Sequence, residues 1–170
     1  SAAQGFALEA RQARLRALAE GAAFKPPRPE GDDERRILEE ERRLYETKLS
    51  ELNTLVSISR QQLMQRQQEL AEAQAKRSAA IRGLELAQQE LTQTRPLLAT
   101  GAVSQVEVLR LERDVTRNKG DAEQTLAQIA RVQAAIGEAS RKIQETELSF
   151  RNDARKDMAE VMGKLNALNE

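Results

Sequence analysis

Leu97-Leu98-Ala99-Thr100-Gly101-Ala102-Val103-Ser104 decides the fold, because it separates two long helical patterns with residues that continue neither. Pro96 stands just before it and lacks an amide hydrogen, so the preceding helix must kink or tighten in its last turn. Gly101 suits a left-handed backbone position. Ser104 is placed as the N-cap of a new helix, and Glu107, three residues on, supplies the other half of a capping box. A tight turn followed by a fresh helix start predicts that the chain reverses. The competing reading is a dimeric structural tether, with the two helices joined end to end and partnered by a second chain. The turn and new cap at 99–104 argue for the hairpin.

Outward from the turn, both flanks carry a seven-residue repeat. Upstream, one seam position reads Leu49, Val56, Leu63, Leu70, Arg77, Leu84, Leu91 and Leu98. Three residues beyond each stand Leu52, Ser59, Arg66, Ala73, Ala80, Ala87 and Thr94. Large residues on one line and small ones on the other describe a closely approaching coiled coil. Downstream the line is Val108, Val115, Ala122, Ile129, Ile136, Ile143 and Phe150. Past Phe150 the phase moves to Ala154, Met158, Val161, Leu165 and Leu168, which reads as a stutter that locally unwinds a supercoil. Gly120, Gly137 and Gly163 fall inside this segment as soft points, each costing up to ~1 kcal/mol against alanine.

Arg66 and Arg77 interrupt the seam. Their alkyl stems are expected to cover it while the heads reach water or pair with an acid on the returning helix. A register-setting role is the sharper alternative, since polar seam residues select pairings at some cost in stability.

Further upstream, Phe24-Lys25-Pro26-Pro27-Arg28-Pro29-Glu30-Gly31 holds three of the 4 prolines and cannot be helical. Before it lies a short helix with Leu8, Leu15 and Ala22 at heptad spacing, Leu18 beside them and Gly21 as terminator. After it, Asp32 and Asp33 are N-cap candidates. The predicted organisation is a short helix over 1–22, a Pro-rich linker over 23–31, an ascending helix over 32–98, a tip turn over 99–103 and a descending helix over 104–170. The ascending helix would be about 100 Å long at ~1.5 Å per residue. Near-equal helices joined by a short connection are antiparallel neighbours. The expected fold is all-α: a long antiparallel coiled-coil hairpin, with the additional short N-terminal helix packed near its open end.

Composition excludes most other classes. Aromatic residues make up 2% of the chain, so buried area must come from Leu, Ile, Val and Ala. The 27 basic and 27 acidic side chains balance and intersperse, leaving no footprint for nucleic acid. With 0 histidines and 0 cysteines, the commonest general base, metal ligand and thiolate nucleophile are missing, so no enzyme, metal or cofactor is expected. Glu- and Gln-rich stretches such as Gln65, Gln67, Gln68 and Glu69 read as a solvated face. No apolar run approaches the ~20 residues of a membrane span. Opening at Ser1 in what reads as helix, the sequence is taken as a segment of a longer protein.

The tip sequence, with Glu107 and Leu109-Arg110-Leu111-Glu112-Arg113 after it, resembles the hairpin tip of HlyD-type membrane fusion proteins, the periplasmic adaptors of type I secretion systems. Ala10-Arg11 to Gly21, then Phe24 and the linker, is similar to that family's opening helix, and Lys119-Gly120 to a step in its returning helix. The wider adaptor family carries Arg, then Leu four positions on, then Ser or Thr seven further. Leu97 and Ser104 match the second spacing, whereas Gln93 stands at the arginine position with Arg95 nearby.

This resemblance implies an interaction module docking a TolC-like outer-membrane channel. Its partners would be an inner-membrane ABC transporter and further copies of itself, although the isolated segment is able to be a monomer. It also implies a Gram-negative periplasmic location, with an inner-membrane anchor outside this stretch. The channel-docking tip would comprise Gln93, Arg95, Leu97, Thr100, Gly101, Val103 and Ser104. For Leu97 and Ser104 the plainer reading is seam packing and an N-cap alone. Small-molecule efflux is the alternative to protein export, and the first helix and its linker favour export.

Overall fold

The breakers fall where the helices end. A computed structural model describes residues 2–170; Ser1, first in the predicted segment 1–22, lies outside them. Helix α1 is Ala2–Glu20, α2 is Asp32–Thr94 and α3 is Gln105–Asn169, with a 3₁₀ turn at Arg95–Leu98 between α2 and α3. Among the described residues there is no strand, and no helix is long and apolar enough to cross a membrane. The fold is an antiparallel helical hairpin with one extra helix. It divides into two units, one joining the segment up to Gln61 with Ser140–Glu170, the other being Gln62–Ala139.

In the first unit α1 buries Phe6, Ala10, Leu15, Ala17, Leu18 and Ala19. Consecutive helical residues point about 100° apart, so burying three in a row requires neighbours on two sides. Those neighbours are α2 and α3: Leu18 and Ala19 cluster with Ala154, and Tyr45 and Phe150 pack on them. Arg14 Nε donates to Glu41 Oε2 at 2.5 Å, with side chains only 11% and 13% exposed. The Tyr45 hydroxyl donates to the Ala22 carbonyl at 3.3 Å. As numbering climbs from Arg14 in α1 to Ala22 just beyond its end, the partners climb along α2 from Glu41 to Tyr45. Helix α1 therefore runs parallel to α2.

Its end is closed by Gly21 at φ 67°, and the Ala22 amide donates back to the Ala17 carbonyl at 3.0 Å. This is the bond expected of a left-handed terminating glycine. The linker then returns to the start of α2, with Phe24 stacked on Tyr45 at 5.5 Å and the Arg42 guanidinium 5.5 Å from the Phe24 ring centre. Gly31, at φ 104°, precedes α2 and accepts the Arg35 amide at 3.1 Å. Asp32 and Asp33 accordingly sit in the first turn, correcting their expected N-cap placement, and there they favour the positive end of the helix.

The phase shift in α3 falls where α1 docks. Ala154 and Val161 are buried and Met158 and Leu165 half-buried, but Leu168 is 45% exposed, so the apolar line stops earlier than its spacing suggests. The changed repeat lets α3 face α1 as well as α2. On α2 in this unit, Val56 and Ser59 are buried, and Ile143 and Phe150 are half-buried on α3. Leu49, predicted as seam, is 36% exposed. The inward face runs through Glu41, Tyr45 and Leu52, which leaves Leu49 at its margin. Truncating Leu18 to alanine is expected to cost about 3 kcal/mol, by lost transfer energy plus a cavity among three helices. Urea denaturation followed by circular dichroism measures it.

The second unit is a two-helix seam. Ala73, Ala80, Ala87 and Leu91 are buried on α2, with Leu63, Leu70, Arg77 and Leu84 half-buried. On α3, Val108, Leu111, Ala122 and Thr125 are buried, with Val115, Ile129 and Ile136 half-buried. The small residues bring the backbones close, and Gly83 marks how close. A Cβ built there would lie 2.5 Å from Asn118 Oδ1, while Asn118 Nδ2 is held by the Asp114 carbonyl at 2.8 Å.

Of the two seam arginines, Arg66 keeps its head exposed as expected, whereas Arg77 donates to the Ala122 backbone carbonyl across the seam at 3.1 Å instead of to an acid. A small residue at 122 leaves its carbonyl accessible to that long side chain. Arg66 turns to Glu69 on its own helix, at 3.0 and 3.1 Å.

Candidate functional site: the hairpin tip

Proline tightens the last turn before the reversal instead of kinking the helix. Arg95–Leu98 forms a 3₁₀ turn with Pro96 at its start, where a missing amide costs nothing. The Gly101 amide donates to the Leu98 carbonyl at 3.2 Å, and the Ala102 amide to the Leu97 carbonyl at 3.2 Å. The Thr100 hydroxyl donates to the same Leu97 carbonyl at 2.8 Å and accepts the Ala102 amide at 3.4 Å. Gly101 adopts φ 76°, which a side chain would strain although no atom lies near enough to clash with one. Ser104 Oγ accepts the Glu107 amide at 3.2 Å, the first half of the expected capping box. The reciprocal bond, from the Ser104 amide to the Glu107 carboxylate, is not made. Ser104→Ala should therefore cost about 1 kcal/mol, read from the denaturation midpoint of the chain.

Beneath the turn, Leu91, Val108 and Leu111 form a small core, with Val103 and Val115 against it. Arg95 reaches the returning helix and pairs with Glu112 at 3.0 Å. It thus braces the two strands of the tip instead of projecting from Gln93's place, and Gln93 itself is exposed. Leu98 leaves the seam to which its heptad spacing assigned it: it is 38% exposed, because the 3₁₀ turn breaks the helical phase just before the reversal. Leu97 is 42% exposed beside it. Of the predicted tip residues, Leu97 and Thr100 are joined by a direct hydrogen bond, Gly101 closes the turn onto Leu98, Ser104 caps α3 through Glu107, and Val103 packs against the small core. Sequence reading passed over Val106, 75% exposed, and Leu109, 50% exposed. Their signal is apolar character off the seam line in the first turn of a helix.

The tip holds no nucleophile next to a base, and among the described residues no group of acidic side chains could hold a metal ion. What it offers is a rigid, hydrogen-bonded turn carrying solvent-facing leucine and valine. Such a surface is suited to contact with another protein.

A family described as AprE, long alpha-helical hairpin, matches residues 1–170. The chain belongs to this AprE hairpin family. Among curated proteins none matches it. Among solved structures, this AprE-type hairpin is similar to the soluble domain of LipC, a membrane fusion protein of a type I secretion system. The two superpose with a TM-score of 0.87 at 16% identity, over 98% of this chain and 81% of that one. At that identity the likeness establishes the fold alone.

Proposed function

We propose that this AprE-type hairpin is the periplasmic arm of a type I secretion adaptor. Its tip docks an outer-membrane channel of the TolC kind, so that protein substrates pass from an inner-membrane ABC transporter to the outside. The observation that carries this reading is the exposure of Leu97, Leu98, Val106 and Leu109 at and just past a turn tied together by the bonds to the Leu97 and Leu98 carbonyls. Exposed apolar side chains gain by being covered, and channel helices of matching character would cover them. Membership of the AprE hairpin family and the LipC likeness supply the system in which the patch would work. In the longer protein an inner-membrane anchor would hold the hairpin in the periplasm, and several copies would surround the transporter. Export of protein is favoured over small-molecule efflux because the solved structure named above belongs to a type I secretion system.

The test is a photo-crosslinking residue introduced into the full-length adaptor in Gram-negative cells, at Val106 in one strain and at Leu126 in another. Leu126 is 52% exposed and lies away from the tip along α3. An adduct with the outer-membrane channel is expected from position 106 and not from 126. Channel adducts from 126 alone would overturn the reading.

A further inference from the structure

The tip's apolar patch continues along α3 into a line of arginines. Val106, Arg110, Arg113 and Arg117 recur at helical spacing and fall within about 60° of one another, at ~100° per residue. Glu107, Glu112 and Asp114 lie outside that wedge. Arg117 is engaged by Asp114 at 2.9 Å, and Arg95 is committed to Glu112. Among the described residues, the side chains of Arg110 and Arg113, both exposed, have no ion-pair or hydrogen-bond partner.

Several surface arginines pair with an acid three residues away on their own helix: Arg36 with Asp33, Arg43 with Glu40, Arg66 with Glu69, Arg82 with Glu85. Arg113 has no acid three or four residues away and stands three from Arg110 and four from Arg117, whereas Arg110 has Glu107 three before it and Asp114 four after it. Like charges at those spacings slightly destabilise a helix, so Arg113 gains nothing from its neighbours on α3.

Building on the docking reading above, we infer that Arg110 and Arg113 recognise carboxylates on the partner helix that covers the tip. The partner would present apolar side chains to Val106 and Leu109 and acidic residues one to two turns further along. Guanidinium suits this task, because its planar fork accepts a carboxylate through two parallel hydrogen bonds. Protein is favoured over an anionic lipid surface because the arginine line runs directly into the apolar tip, so one occupant must satisfy both at helical spacing. The arginines thereby set which channel is accepted and in what orientation, while the leucines and valine supply the contact area.

The experiment places a photo-crosslinking residue at Leu97 of the full-length adaptor and reads the yield of channel adduct in cells. Arg110→Glu with Arg113→Glu is expected to lower the yield at least tenfold. Arg110→Lys with Arg113→Lys should retain an intermediate yield. In detergent-solubilised complexes, raising the salt concentration should weaken the wild-type contact but barely affect Arg110→Gln with Arg113→Gln. All these positions are exposed, and equal helical signal and melting temperature among the variants confirm that folding is intact.

An undiminished adduct from the double glutamate variant would overturn the inference while leaving tip docking in place. No adduct even from the wild type would overturn both. Arginine-dependent binding to vesicles of phosphatidylglycerol and phosphatidylethanolamine, with the channel adduct unchanged, would assign the line to lipid and equally overturn it.

Discussion

Replacing Leu97 by aspartate is expected to reduce export by the complete secretion system at least tenfold while leaving the hairpin's stability nearly unchanged. Leu97 is 42% exposed, and it is the backbone carbonyl, not the side chain, that the turn uses. A carboxylate there remains solvated in the free protein, so the folded state loses little. Docked against an apolar surface it would have to shed its water without a partner, which costs far more than the ~1.4 kcal/mol that corresponds to tenfold. Secreted substrate in the medium, measured beside the melting temperature of the purified chain, separates the two effects. Normal export would remove Leu97 from the contact.

The second large effect lies one layer deeper. Leu111 is 4% exposed and packs with Leu91 and Val108 beneath the turn. Leu111→Asp should destabilise the tip by about 4 kcal/mol, combining the lost burial of a leucine with a carboxylate in an apolar site. Hydrogen exchange resolves where the loss falls. Amides of 88–115 should lose protection, while those of α1 around Leu18, whose partners are Tyr45, Phe150 and Ala154, keep theirs. Uniform loss along the chain would mean that the two units do not open separately. Comparing the two leucines distinguishes a surface that works from a core that holds the surface in shape.

Much of this arrangement was legible in the sequence because the decisive features are local or periodic. Gly101 and Ser104 announce the reversal, and Ala73, Ala80, Ala87 and Val108 announce the buried line, since each needs only its neighbours to be interpreted. The direction of α1 was not legible. Leu15 and Leu18 reveal an apolar face but not which way the helix lies, and that is settled by Arg14 meeting Glu41 and Tyr45 meeting Ala22. Nor was the role of Arg77, because a backbone carbonyl exposed by a small residue on the opposite helix leaves no trace in residue type. Leu98 misled through its spacing, as a 3₁₀ turn advances the chain by ~3 residues per turn and breaks the phase. At the site, Val106 and Leu109 went unread because isolated apolar residues on a helix surface are ordinary. They gain meaning only once the reversal sets them just past the turn that exposes Leu97 and Leu98.

Everything above depends on the chain folding back on itself at Gly101, which exposes the tip and buries the seam within one molecule. Cysteines in place of Leu91 and Leu111 test this directly, since the two leucines share one cluster and the background contains no cysteine. After mild oxidation, mass measured under denaturing, non-reducing conditions should show a monomer carrying an internal disulfide. Covalent dimers lacking internal bridges would contradict the hairpin, and with it the docking tip.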